Sequence, residues 1–123
     1  MKSPHTGLSR LWYALGYSWK GLKASWQHEA AFRQELVACI VLAPVALWVG
    51  QTPLEIVALI SVLLLVIIVE LLNSAIESVV DRISDDYHEL SGRAKDQGSA
   101  AVLFSIGLAV LVWAGIIYHN WPT

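Results

Sequence analysis

The sequence predicts an all-α membrane protein: an N-terminal amphipathic helix lying in the membrane interface, then three transmembrane helices, all in one domain covering residues 1–123. Three observations predict it. Of the 123 residues, 56% are hydrophobic and only 15% charged, which is too apolar for an ordinary soluble domain of this length. The apolar residues come in blocks that approach the roughly 20 needed to cross about 30 Å of hydrocarbon. The cations are also segregated: Lys2, Arg10, Lys20, Lys23 and Arg33 precede the first clean block, and Arg82, Arg93 and Lys95 lie between the second and third. A formal charge of −2 adds little to this. The single cysteine, Cys39, excludes an internal disulfide and a thiolate metal cluster. No continuous apolar core followed by a small-residue cleavage site occurs in the first thirty residues, so no removable signal is expected and the mature chain should begin near Met1.

The first element is an interfacial helix within residues 1–28. Leu8, Leu11, Trp12, Leu15, Trp19, Leu22 and Trp26 recur in steps of three and four and share one arc, while Arg10, Lys20 and Lys23 fall outside it. Indoles suit the headgroup region and lysines reach anionic phosphates, so this pattern lies in the interface rather than crossing it. A core-facing helix of a soluble bundle is the alternative. The first span covers 30–49, with Arg33, Gln34 and Glu35 in its opening turns and Pro44 near its middle, where a kink is expected. "GQTP" at 50–53 reads as a turn, with Gly50 closing one helix and Pro53 starting the next. The second span covers 54–73, and its helix should continue to Ile83. Residues 82–97 are polar and form a cytoplasmic connection. The third span, 98–118, carries no charge, and Ala101, Ser105 and Ala109 repeat every four residues as a stripe suited to close helix contact. Basic residues crowd the N-terminal segment and the second connection, which puts both in the cytoplasm. Trp48, Trp113, Tyr118 and Trp121 then belong to an outer aromatic belt.

On a helix advancing about 100° per residue, positions 70, 73, 74, 77, 81 and 84 fall within one arc. They are Glu, Asn, Ser, Glu, Asp and Ser. A polar stripe thus runs from inside the bilayer toward the cytoplasm. Placing an ionised side chain at membrane depth costs about 2.5 kcal/mol or more, so such residues serve a site or pair with one another. A salt bridge to Arg33 or Lys95 that only fastens helices is the plainer alternative. Carboxylates at a cytoplasmic boundary, with Arg93 and Lys95 nearby in sequence and Glu29 at the end of the interfacial helix, suit a hard cation and a polyphosphate. Familiar nucleotide motifs are absent: there is no "GxxxxGK[ST]" loop and no kinase catalytic loop, and "HELSG" at 88–92 lacks the second histidine of a zinc helix.

Four stretches carry a resemblance. "GYSWKGL" (16–22), "EAAFRQE" (29–35), "ELLNSAIESVVD" (70–81) and "DYHELSGRAKD" (86–96) resemble, in order and spacing, the small integral-membrane diacylglycerol kinases of Gram-negative bacteria. The similarity covers nearly the whole chain. It implies a homotrimeric bundle of nine spans in the bacterial inner membrane, N-terminus cytoplasmic, with each site shared between neighbouring subunits. It also implies direct transfer of the terminal phosphate of ATP to the primary hydroxyl of diacylglycerol, without a phosphoenzyme. By resemblance, Glu70 is the general base and Asn73 orients the base or the hydroxyl. Glu29 and Glu77 hold Mg2+, Lys95 meets phosphate and Asp96 lies nearer the adenosine. Tyr17, Asp86, Tyr87 and His88 are further nucleotide contacts, and Arg10 and Ser99 match lipid-substrate positions. Glu29 raises a geometric question: either the chain bends there or its side chain points into protein, and the second fits a metal ligand. The closest rival activity is a polyprenol (undecaprenol) kinase. A rival of another class is a non-catalytic membrane subunit or proton-conducting oligomer using Glu70 and Glu77.

Overall fold

The computed structural model describes residues 6–122, which form four α-helices and no strand: α1 Gly7–His28, α2 Ala30–Val49, α3 Pro53–Ile83 and α4 Glu89–His119. The part of the interfacial helix expected over residues 1–5 lies outside the described residues. Three of the helices, α2, α3 and α4, are long and apolar enough to cross a membrane. The molecule is a helical membrane protein.

α1 and α2 meet at a single extended residue, Glu29 (φ −120°, ψ 108°), which closes one helix and opens the other. Its N–H donates to the Ser25 carbonyl at 2.9 Å and its carbonyl accepts from Arg33 N at 3.2 Å. The chain therefore bends at Glu29, the first of the two options posed above. α2 runs unbroken through Pro44 to Val49.

The turn at 50–52 is built by close approach. Gly50 has an ordinary φ of −74°, so it is not there to adopt a left-handed conformation. A Cβ at this position would instead meet the Ile56 side chain at 2.6 Å and the Ala46 carbonyl at 3.1 Å. Thr52 then caps α3 by accepting from Glu55 N at 3.2 Å, and Pro53 takes the first helical position, where its missing N–H does no harm.

α3 and α4 each contain 31 residues, roughly 46 Å at 1.5 Å per residue, and so overrun a hydrocarbon layer of about 30 Å. α3 ends at Ile83, as its periodicity predicts. α4 begins at Glu89, well inside the stretch that reads as a connection; only 84–88 is non-helical. The reason is local: His88 supplies an N-cap, its Nδ1 accepting from Leu90 N at 3.1 Å, and the polar residues after it are mostly sound helix formers.

α3 is the central helix, packing most extensively on α4 and then on α2. Its buried face repeats in threes and fours: Leu59, Val62, Leu63, Val66, Glu70, Asn73, Ser74. α4 meets it along Gly98, Ser105 and Ala109, whereas Ala101, expected on that small-residue stripe, is exposed. Ala109 packs with Val62 and Val66, flanked by Val112 and Trp113. Trp113 turns inward from the aromatic belt and donates Nε1–H to the Leu59 carbonyl at 3.2 Å. Trp48, Tyr118 and Trp121 stay exposed. At the same end Asn120 donates to the Val49 carbonyl at 3.0 Å and to Glu55 Oε1 at 2.6 Å, tying α4 to the α2–α3 turn. Large apolar side chains such as Ile40, Leu64, Phe104 and Leu111 face outward. α1 buries no side chain at all.

Candidate active site

The C-terminal half of α3 positions the candidate site. Glu70 is only 4% exposed, Asn73 and Ser74 are buried beside it, and Glu77 is half-buried one turn further. Asn73 Nδ2 donates to Glu77 Oε1 at 3.1 Å, so the stripe inferred from periodicity is a connected polar line. Gly98 of α4 sits against it with no room to spare, since a Cβ there would fall onto the Asn73 amide oxygen.

A second carboxyl faces Glu70 from α2. The Glu35 side chain stands near enough to the Glu70 carboxyl to act on it electrostatically, as do Glu77 and Glu29. Its place in the opening turns of the first span does not by itself bring Glu35 to Glu70. A signal was present: Phe32 and Ala46 are the buried residues of α2, and position 35, one turn after Phe32, shares their face. Glu29, half-buried at the helix junction, lines a groove of about 580 Å³ between α1 and α3, together with Ser25, His28, Ser74 and Ser78.

The fit to a magnesium ion can be judged from these groups. Among the described residues no three His, Cys, Asp or Glu side chains converge into a cage for a metal. That suits Mg2+, which takes one or two protein carboxylates and completes its octahedron with water and phosphate oxygens. Glu29 and Glu77, both near Glu70, are the carboxylates that would offer such a pair. Three buried polar atoms, Glu35 Oε2, Asn73 Oδ1 and Ser74 Oγ, lack a hydrogen-bond partner among the described residues, and buried polar atoms are seldom left so in a finished site.

The remaining residues fall into two groups. Asp86, Tyr87, His88 and Lys95 line one pocket of about 270 Å³ where α3 ends and α4 begins, so four of the predicted nucleotide contacts are brought together. The His88 ring is engaged there as the α4 cap. Lys95 Nζ pairs with Asp81 Oδ1 at 2.7 Å, and this hydrogen bond holds the ammonium above its ordinary pKa range. Asp96 lines an adjacent groove with Tyr87 and Arg93. Arg10, Tyr17 and Ser99 are all exposed and are not drawn to Glu70 within one chain; Tyr17 instead carries the Lys20 ammonium 5.9 Å from its ring centroid.

A buried carboxyl on a spanning helix, further carboxylates near it, and a pocket beyond it lined by Asp81, Asp85, Asp86, His88 and Lys95 follow one another along α3 toward the start of α4. Residues 16–117 match the model of the prokaryotic diacylglycerol kinase family. The chain is 54% identical over 120 residues to the diacylglycerol kinase of Escherichia coli K12, covering 98% of both chains. It is 49% identical over 113 residues to that of Haemophilus influenzae, covering 92% of this chain and 96% of the relative. With the diacylglycerol kinase of Pseudomonas aeruginosa it shares 47% over 112 residues, 91% of each. On the extent of these matches, the chain belongs to the prokaryotic diacylglycerol kinase family.

Proposed function

We propose that this chain is an ATP-dependent diacylglycerol kinase of the bacterial inner membrane, which makes phosphatidic acid by direct phosphoryl transfer. The observation that carries this reading is the burial of Glu70 on a membrane-spanning helix within a chain of this family. A hydroxyl anchored by two acyl chains stays at the inner membrane face, and a triphosphate stays in water. A base that serves both must sit where Glu70 sits, on the inner stretch of α3.

In the proposed step the Glu70 carboxylate takes the proton of the lipid hydroxyl as its oxygen bonds to the terminal phosphorus. The bond from that phosphorus to the bridging oxygen breaks, and ADP leaves with the electron pair. Asn73 holds Glu77 by its donated hydrogen bond, with its amide oxygen turned toward Gly98. Lys95 brings positive charge to the phosphate, and Asp86, Tyr87, His88 and Asp96 form the walls of the nucleotide region. Glu29 and Glu77 would hold Mg2+, which supplies charge compensation on phosphate oxygens.

The exposure of Arg10, Tyr17 and Ser99, and the outward-facing apolar surface of a chain with a thin core, support completion of the site by further copies in a homotrimer. Transfer of label from ATP to defined lipid alcohols in mixed micelles tests the reading. Diacylglycerol should be phosphorylated in preference to undecaprenol, and Glu70→Gln should lower turnover by roughly 10² to 10⁴. Preference for undecaprenol overturns the substrate; full activity of Glu70→Gln overturns the base. Absence of any transfer by the wild type points to a non-catalytic membrane subunit.

A further inference from the structure

The last carbonyls of an α-helix have no partner within the helix, and they form the negative end of its dipole. At the end of α1 two of these carbonyls are met by a side chain from the next helix. Arg33 Nη1 donates to the Trp26 carbonyl at 2.7 Å and more loosely to the Gln27 carbonyl at 3.4 Å. Arg33 lies one turn into α2, and its own N–H bonds the Glu29 carbonyl at 3.2 Å. The residue therefore bridges both sides of the one-residue junction.

Two further observations give this bridge a purpose. α1 buries no side chain, so packing does little to set its direction relative to α2. The Glu29 carboxylate makes no capping hydrogen bond to α2 and faces the groove between α1 and α3. An anion beside the negative end of α1 is disfavoured unless positive charge is supplied there. The guanidinium supplies it, its Nη1 reaching both carbonyls.

We propose that Arg33 is the positioning residue for Glu29: a guanidinium clamp across the α1–α2 junction that fixes the direction of the Glu29 carboxylate and so sets the affinity for the divalent cation. This rests on the reading of Glu29 as a metal-binding carboxylate. The test is Mn2+ binding to the full-length protein with a non-hydrolysable ATP analogue, read from the loss of the free-ion EPR signal, beside activity titrated with Mg2+. Arg33→Gln should weaken Mn2+ binding about tenfold and raise the half-saturating Mg2+ by a similar factor, as loss of a ligand-orienting partner typically does. The rate at saturating Mg2+ should stay within about twofold, since uniform binding and not the chemical step is altered. Arg33→Lys should recover part of the affinity.

A merely structural role would lower the Tm and the maximal rate and leave the metal affinity alone, and that result overturns the clamp. Unchanged Mn2+ affinity in Arg33→Gln, with weakened affinity in Glu29→Gln, also overturns it while sparing the reading of Glu29. Unchanged affinity in Glu29→Gln overturns that reading instead. Should Arg33→Gln not fold, Arg33→Lys carries the test through spin labels placed by Lys23→Cys and Val41→Cys in a Cys39→Ala background, diluted with unlabelled chain. A broadened distance distribution supports the clamp, and an unaltered one overturns it.

Discussion

Asn73 occupies the space where Gly98 has no side chain. Adding one methyl group at Gly98 pushes a carbon onto the Asn73 amide oxygen, and the amide can yield only by releasing Glu77. Gly98→Ala should therefore slow transfer by roughly tenfold or more while costing about 1–3 kcal/mol of stability. Steady-state turnover and thermal unfolding of the purified protein check both. Gly107→Ala is the control: its Cβ meets nothing within 4 Å, so both readouts should stay at wild-type values. At this scale much of the site was legible. Glu70, Asn73, Ser74 and Glu77 share an arc that a helical wheel reveals. Glu35 was missed because its importance lies in a contact between helices, and the sequence shows that only through the weak apolar period of α2. The reason for glycine at 98 is likewise a pairwise collision, which no single helix displays.

The end of α3 and the start of α4 form a two-helix prong closed by residues 84–88. Lys95 and Asp81 join the two arms at 2.7 Å, with both side chains largely in solvent. Exposed pairs contribute little to stability, because water screens them and ordering long side chains opposes them. Lys95→Ala should leave the Tm within measurement error and still reduce ATP-dependent transfer by about 10² or more, since the lost cation is the proposed phosphate contact. An equal loss of stability and activity would make Lys95 a strut and not a ligand. The sign of its pH dependence follows from its raised pKa. Whatever the pair contributes is fully present below the ordinary lysine value and disappears only as pH climbs through the elevated one, so profiles near neutrality should not report it. The α4 start was not legible because the 82–97 stretch was judged by polarity. His88 as a cap and Glu89 in the first turn mark a helix start that polarity alone conceals.

Across the whole molecule, the segregation of basic residues predicts sidedness, with the prong and the N-terminus inside and the Asn120 knot outside. In a Cys39→Ala background, Asp85→Cys should react with a membrane-impermeant thiol reagent only in inverted vesicles, and Trp121→Cys only in right-side-out ones. The reverse pattern would separate Glu70 from cytoplasmic ATP and end the kinase reading. Span number and order were legible because hydropathy is a property of each segment. Which faces meet was less so, since a chain that leaves most of its large apolar side chains outward gives burial and lipid exposure the same residue types.

The junction at Glu29 has one last consequence. A hinge only one amino acid long cannot absorb a tilt silently: if α1 rocks or sinks as bilayer thickness or surface charge varies, the carboxylate at the pivot swings with it. Sensing the lipid milieu and gripping the ion would then be a single mechanical event, making turnover responsive to the membrane without any separate regulatory domain.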